Sequence, residues 1–158
     1  MKRHFTLDRP HALLAVIVPT LVFAITSIYG IFGLITGTDV AWFGALFGLG
    51  LLLFLDHFVA LSHPTNVIID ENTIQFRAFW WHHTYTIENI TRINVRPVSR
   101  GLRMYVRLND AGLFKGRYWL HLDHMSDAKD LKDFLENLMN ERHPKFKNMD
   151  RHSYKRVK

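Results

Sequence analysis

The positions of charge divide the chain into two unlike parts. Residues 12–35 carry no charged side chain, and a second apolar run begins near Val40, stays uncharged to Leu55 and continues through Asp56 and His57 to Leu61. A run of more than about 18 such residues can cross a hydrocarbon core of about 30 Å, so both runs predict membrane-spanning helices. Pro19 lies inside the first run, where its missing amide hydrogen predicts a kink that membrane helices tolerate. The connection Thr36-Gly37-Thr38-Asp39 is so short that the spans must be antiparallel neighbours in a hairpin covering 12–61. Gly33 and Gly37 on one span, and Ala41, Gly44, Ala45 and Gly48 on the other, recur at the four-residue spacing that lets helix backbones approach. The same small residues could serve self-association, so homo-oligomerisation through the hairpin is a further expectation.

After His63-Pro64 the apolar runs give way to alternation, the mark of strands with one buried face. Strands are expected at 66–70, 73–79, 82–86, 90–96, 102–108 and 116–122, with turn chemistry at Asp70-Glu71-Asn72 and Asn109-Asp110-Ala111-Gly112. Ala128, Leu131, Phe134, Leu135 and Leu138 then form one helical stripe, with Ser126 as expected N-cap and Pro144 as stop. The layout is a membrane helical hairpin plus an α+β domain over 65–142, an antiparallel meander closed by one C-terminal amphipathic helix. Residues 1–11 read as a basic flank, and 143–158, rich in Lys and Arg and poor in apolar residues, as a disordered basic tail.

Charge adds an orientation. Lys2, Arg3 and Arg9 precede the first span while the loop between the spans has no Lys or Arg, so the positive-inside rule puts the N-terminus in the cytoplasm. Two spans return the chain to that side, which makes both termini and the domain cytoplasmic in a plasma membrane. The formal charge of +6 is concentrated in the tail, where nucleic acid would be an unspecific partner and acidic lipid a better one. Cysteine is absent, which excludes disulfides, thiolate metal sites and cysteine nucleophiles.

The strand order followed by a single helix, with the run Tyr85-Thr86-Ile87-Glu88-Asn89-Ile90-Thr91-Arg92-Ile93 leading one strand into the next, resembles the pleckstrin-homology-like (PH-like) domains that bacterial membrane proteins carry after paired membrane helices. That resemblance implies a PH-like antiparallel sheet or partial barrel. Size, hairpin and domain together are similar to the EbsA-like small membrane proteins of Gram-positive bacteria, which implies an envelope protein without established catalytic residues.

Candidate chemistry is sparse. Arg92, Arg96, Arg103 and Arg107 fall on the polar face of two neighbouring strands, and a hairpin would gather them into a basic face suited to a partner protein or to anionic lipid. The bland alternative is a solvated strand face. Trp80 and Trp81 form an aromatic strand end: alternation sends at least one into the core and leaves the other free for lipid or the hairpin. Asp56 and His57 are a candidate polar site at the far end of the second span, where they can pair with each other or approach headgroups. His121, Asp123 and His124 are the best local metal candidates, but their spacing along a strand and turn does not complete a site, so no metal or cofactor is assigned. There is no phosphate-cradling glycine loop, no Gly-x-Ser-x-Gly and no His-Glu-x-x-His. The expected function is therefore non-enzymatic: an envelope membrane protein whose domain binds a protein partner or anionic inner-leaflet lipid. The glycine-rich hairpin and Asp56 motivate the alternative, a small transport or pore-forming component.

Overall fold

The computed structural model describes residues 2–37 and 39–142; the tail at 143–158, with Pro144, lies outside the described residues. Helix α1 (Arg9–Ile35) and helix α2 (Val40–Phe58) pack as an antiparallel pair. Their 27 and 19 residues correspond to about 40 and about 28 Å at the α-helical rise. Beyond the seam between them much of their apolar surface is uncovered: Ile28, Phe32, Ile35, Trp42, Leu49 and Leu52 are all exposed. A core helix of a water-soluble protein would be covered, and leaving this surface in water would cost roughly 25 cal/mol per Å². Both helices are thus long and apolar enough to cross a membrane.

The kink expected at Pro19 takes a specific form. The turn Leu13–Ile17 is π-helical, and the Val18 amide reaches back to the Leu13 carbonyl, so the widened turn absorbs the irregularity just before the proline. The hydroxyls of Thr20, Thr26 and Ser27 donate to the carbonyls of Val16, Val22 and Phe23 on their own helix. At the hairpin tip Gly37 ends α1 with φ at 72°, and the Asp39 carboxylate caps α2 by accepting the Trp42 amide.

The helix contact uses a different set of glycines from the one expected. A Cβ on Gly30 would overlap the Phe47 backbone, one on Gly33 the Phe43 ring, and one on Gly50 would come within 2.9 Å of the Ser27 amide. Gly44 only grazes Leu34, while Gly48 and Gly37 have nothing within 4 Å at that position. Of the four expected contacts, Gly33 is in the seam; Gly37 belongs to the turn and Gly48 faces outward, because a four-residue spacing alone does not say which helical face is inside.

The domain consists of two antiparallel sheets. The first has the order β1 (Arg3–Thr6), β2 (Asn66–Ile69), β3 (Thr73–Ala78) and β4 (Trp81–Thr86); the second is β5 (Ile93–Val98), β6 (Arg103–Leu108) and β7 (Arg117–His121). Helix α3 (Ala128–Arg142) packs against β5. Alternation works as read: Ile74, Phe76 and Ala78 are buried, while Thr73, Gln75 and Arg77 are partly exposed. The inward rows of both sheets and Leu131, Leu135 and Leu138 of α3 make one core. Phe76 and Tyr118 stack across it with ring centroids 4.0 Å apart.

Two expectations change. Residues 1–11 are not merely a flank: they contain β1, whose Phe5 is only 2% exposed and lies opposite Val67. The domain therefore begins before the hairpin, and the two apolar helices are an insertion between its first and second strands. Ser126 is not spent on starting α3, which begins at Ala128; its hydroxyl accepts the Thr6 amide at 2.9 Å and ties β1 down. This pairing also requires both ends of the hairpin to lie on one side, as an even number of spans does.

Replacing Gly30 by Val should separate the helices and lower stability by about 1–3 kcal/mol, the usual cost of overpacking. Gly48→Val should stay within about 0.5 kcal/mol of the parent, as surface changes usually do. Thermal unfolding of the full chain in detergent micelles distinguishes the two.

Candidate functional site

Two loops of the domain flank the lower end of α2. The β3–β4 turn is only Phe79-Trp80, with Phe79 at φ 56°, a conformation rare for a bulky residue. Its aromatic rings meet the hairpin: Phe58 lies 5.5 Å from both Phe79 and Trp80. Trp80 is 74% exposed and Trp81 is 48% exposed, so neither fills the core as alternation suggested. The two-residue turn explains this, since Phe79 packs against the core and Trp80 is left at the tip.

The second loop joins β6 to β7. Gly116 holds φ at 91°, and a Cβ there would sit 2.9 Å from the Leu108 carbonyl. Asn109 locks the loop base: its Oδ1 accepts the amides of Thr91 and Arg92, and its Nδ2 donates to the Asn89 carbonyl. The exposed Leu113 and Phe114 line a groove of about 340 Å³ with Leu51, Leu52, Leu55 and Asp56 of α2. The outward Gly48 also borders it. Asp56 and His57 do not pair with each other: Asp56 faces this groove, while His57 meets the Phe23 ring edge-on at 5.2 Å and its Nδ1 is buried without a partner.

The outer face of the second sheet carries the arginines, interleaved rather than stacked. Arg107 lies opposite Asn94 and Arg117, Arg96 opposite Tyr105, and Arg103 opposite Val98 and His121. Tyr105 and Trp119 sit between them with ring centroids 4.7 Å apart. Arg92, Arg107 and Arg117 cluster at the sheet end that leads into the Leu113–Phe114 loop, whereas Arg96 and Arg103 lie toward the other end. Arg92, Asn94, Arg107, Asn109 and Asp110 border a concave pocket of about 250 Å³. Arg92 and Asp110 pair at 3.6 Å, but both are so exposed that the contact contributes little. The sequence reading missed Arg117, although the alternation of Arg117, Trp119 and His121 carried the signal.

Histidines form the joint where helices meet sheets. His63 Nδ1 lies 3.3 Å from His121 Nε2, and the His57 ring centroid is 5.0 Å from that of His63. Burial pushes the His63 pKa down to about 3, helped by His57, His121 and Arg103. His121 is also held low, by burial and then by Arg103, with Asp123 opposing. Nearby, His83 Nδ1 and the Tyr85 hydroxyl lie 2.8 and 2.7 Å from the Tyr118 hydroxyl, and burial raises the pKa of both tyrosines. His121 and His124, grouped together in the sequence reading, belong to different clusters: His124 closes the turn Leu122–His124 and stacks on His11. His11 and Asp8 are more than a hundred residues from His124, and nothing local in the sequence links them.

No protein-family profile, no curated protein and no solved structure matches this chain.

His63 predicts an acid sensitivity. Neutral in the folded state and ordinary when unfolded, it contributes stability fully above about pH 6.5, and that contribution is lost as pH falls toward 3. Unfolding midpoints measured between pH 7 and 4 should decline with a slope approaching one bound proton from this residue. In His63→Gln that part of the slope should disappear.

Proposed function

We propose that this chain is a non-enzymatic, plasma-membrane-anchored module whose PH-like domain lies on the cytoplasmic leaflet and holds anionic lipid headgroups. The observation that carries the reading is one of placement. Arg92, Arg107 and Arg117 occupy the sheet end next to the Leu113–Phe114 loop, and that loop lies against the apolar helix α2. Arginines beside inserted apolar side chains suit a headgroup boundary: each can add about 1 kcal/mol near an anionic surface while the apolar pair anchors below. Trp80, exposed beside Phe58, and the exposed Trp81 supply the amphipathic rings favoured at membrane interfaces. The cytoplasmic side follows from Lys2, Arg3 and Arg9. Two antiparallel sheets with one C-terminal helix support the PH-like resemblance, and the envelope role implied by the EbsA-like resemblance fits the same placement.

The transport alternative has less support. Its candidate acid, Asp56, faces the groove under Leu113 and Phe114 rather than the contact between helices. Thr20, Thr26 and Ser27 donate their hydroxyl protons to carbonyls of their own helix rather than across the hairpin.

The full chain is the right material for a test, because a fragment starting at residue 65 would lack β1. Native mass spectrometry in detergent, titrating phosphatidylglycerol and phosphatidylcholine, should show preferential retention of the anionic lipid. The triple variant Arg92→Gln, Arg107→Gln, Arg117→Gln should weaken phosphatidylglycerol binding about a hundredfold, from about 1 kcal/mol per arginine. Equal retention of both lipids by the unaltered chain would overturn the proposal.

A further inference from the structure

The joint between α1 and the domain holds a set of side chains that the lipid reading does not use. Asp8, His11 and His124 each offer a ligand atom, and these atoms lie within 4.8 Å of one another. His11 Nδ1 is 2.8 and 3.0 Å from the two Asp8 carboxylate oxygens, and His124 Nδ1 is 3.6 Å from the second of them. The two imidazoles stack with centroids 3.2 Å apart and planes inclined by 13°, so for both to aim a lone pair at one ion the rings must swing out of the stack about their side-chain bonds. From this geometry we infer that Asp8, His11 and His124 form a divalent transition-metal site, with zinc as the fitting ion.

Three further observations support it. The ligands come from two remote segments that the backbone has already brought together. The Asp8 amide donates to the His124 carbonyl at 2.9 Å, the Ser126 amide donates to the Thr6 carbonyl at 2.9 Å, and Leu7 bridges Met125. A metal would have to reorient the side chains but not to bring the two segments together. Next, a carboxylate stands beside the far nitrogen of His124: Nε2 lies 3.2 Å from an Asp123 oxygen. Were that oxygen to accept the Nε2 proton, Nδ1 would be left with a lone pair, the outer-shell arrangement usual for metal-binding histidine. Finally, the site is open, with side-chain exposures of 41% for His11, 45% for Asp8 and 32% for His124, so an ion can enter.

Two imidazoles and a carboxylate suit zinc, with water completing a tetrahedron. On binding, the proton that His11 Nδ1 shares with Asp8 passes to the ring's own Nε2 through solvent, leaving a neutral imidazole with its Nδ1 lone pair free, and Asp8 exchanges its contact with the ring for one with the ion. The ion would clamp the start of α1 to the turn after β7. It would thereby couple the first membrane helix to the domain.

The test uses the full chain in detergent, stripped with chelator and titrated with zinc chloride by calorimetry. One zinc per chain is expected, with His11→Gln and His124→Gln each weakening binding at least tenfold. Asp123→Asn should weaken it about 10- to 100-fold, the usual effect of an outer-shell partner. Asp8→Asn retains a helix-capping side chain but supplies a poorer ligand, and should lose affinity without unfolding. The exposed His82→Gln should bind like the parent. X-ray absorption at the zinc edge of the unaltered chain gives a readout independent of any variant's folding, and two imidazoles with oxygen donors are expected. Absence of stoichiometric zinc, unchanged affinity in both histidine variants, or a zinc shell without two imidazoles would overturn the assignment.

Discussion

Uncovered apolar surface on α1 and α2 is the constraint from which the rest follows. The hairpin buries its inner seam through Gly30, Gly33 and Gly50 and leaves many outer apolar residues bare, surface that carries a hydrophobic cost wherever water meets it. Its backbone suits an apolar surrounding, since helical hydrogen bonding and the local bonds of Thr20, Thr26 and Ser27 leave little polar demand along the spans. With the hairpin in a bilayer, as proposed, the domain would have a fixed floor and each loop reaching α2 a depth.

This gives a common meaning to features that look unrelated in the chain. A bulky Phe79 accepts a left-handed backbone, which places Trp80 against Phe58 instead of leaving a polar tip. Gly116 and Asn109 bend the β6–β7 loop so that Leu113 and Phe114 reach α2. In the proposed arrangement, grease enters the acyl boundary and guanidinium groups remain one step above it. The histidines occupy the remaining junction, where His63 is kept neutral by burial and neighbouring positive groups while Asp8 and His11 remain open to solvent.

Much of this architecture was legible in the sequence because two periodicities dominate it. Long uncharged runs gave the helices, and strict alternation gave six of the seven strands to within a few residues. The missing strand, Arg3–Thr6, is too short and too basic to stand out. Only its partner Asn66–Ile69 makes it a strand, and that partner lies beyond the entire hairpin. The glycine seam was half legible, since spacing identifies small residues but not the side of the helix facing the neighbour. Trp80 and Trp81 were misplaced because alternation was continued through a two-residue turn that resets it. The arginine face was readable from local pattern. The grouping of Asp8 and His11 with His124 was not, because it depends on the backbone pairing of two distant segments.

The insertion of both helices between β1 and β2 has a consequence for how the protein is made. β1 leaves the ribosome before the membrane helices, yet its hydrogen-bonding partner emerges only after them, so the N-terminal strand must wait through the whole insertion event. If one helix failed to cross, the strand and its partner would be stranded on opposite sides of the bilayer and the sheet could never close. Closure of the sheet is thus tied to topology: if the two helices cross a bilayer, Phe5 can reach Val67 only when both have crossed.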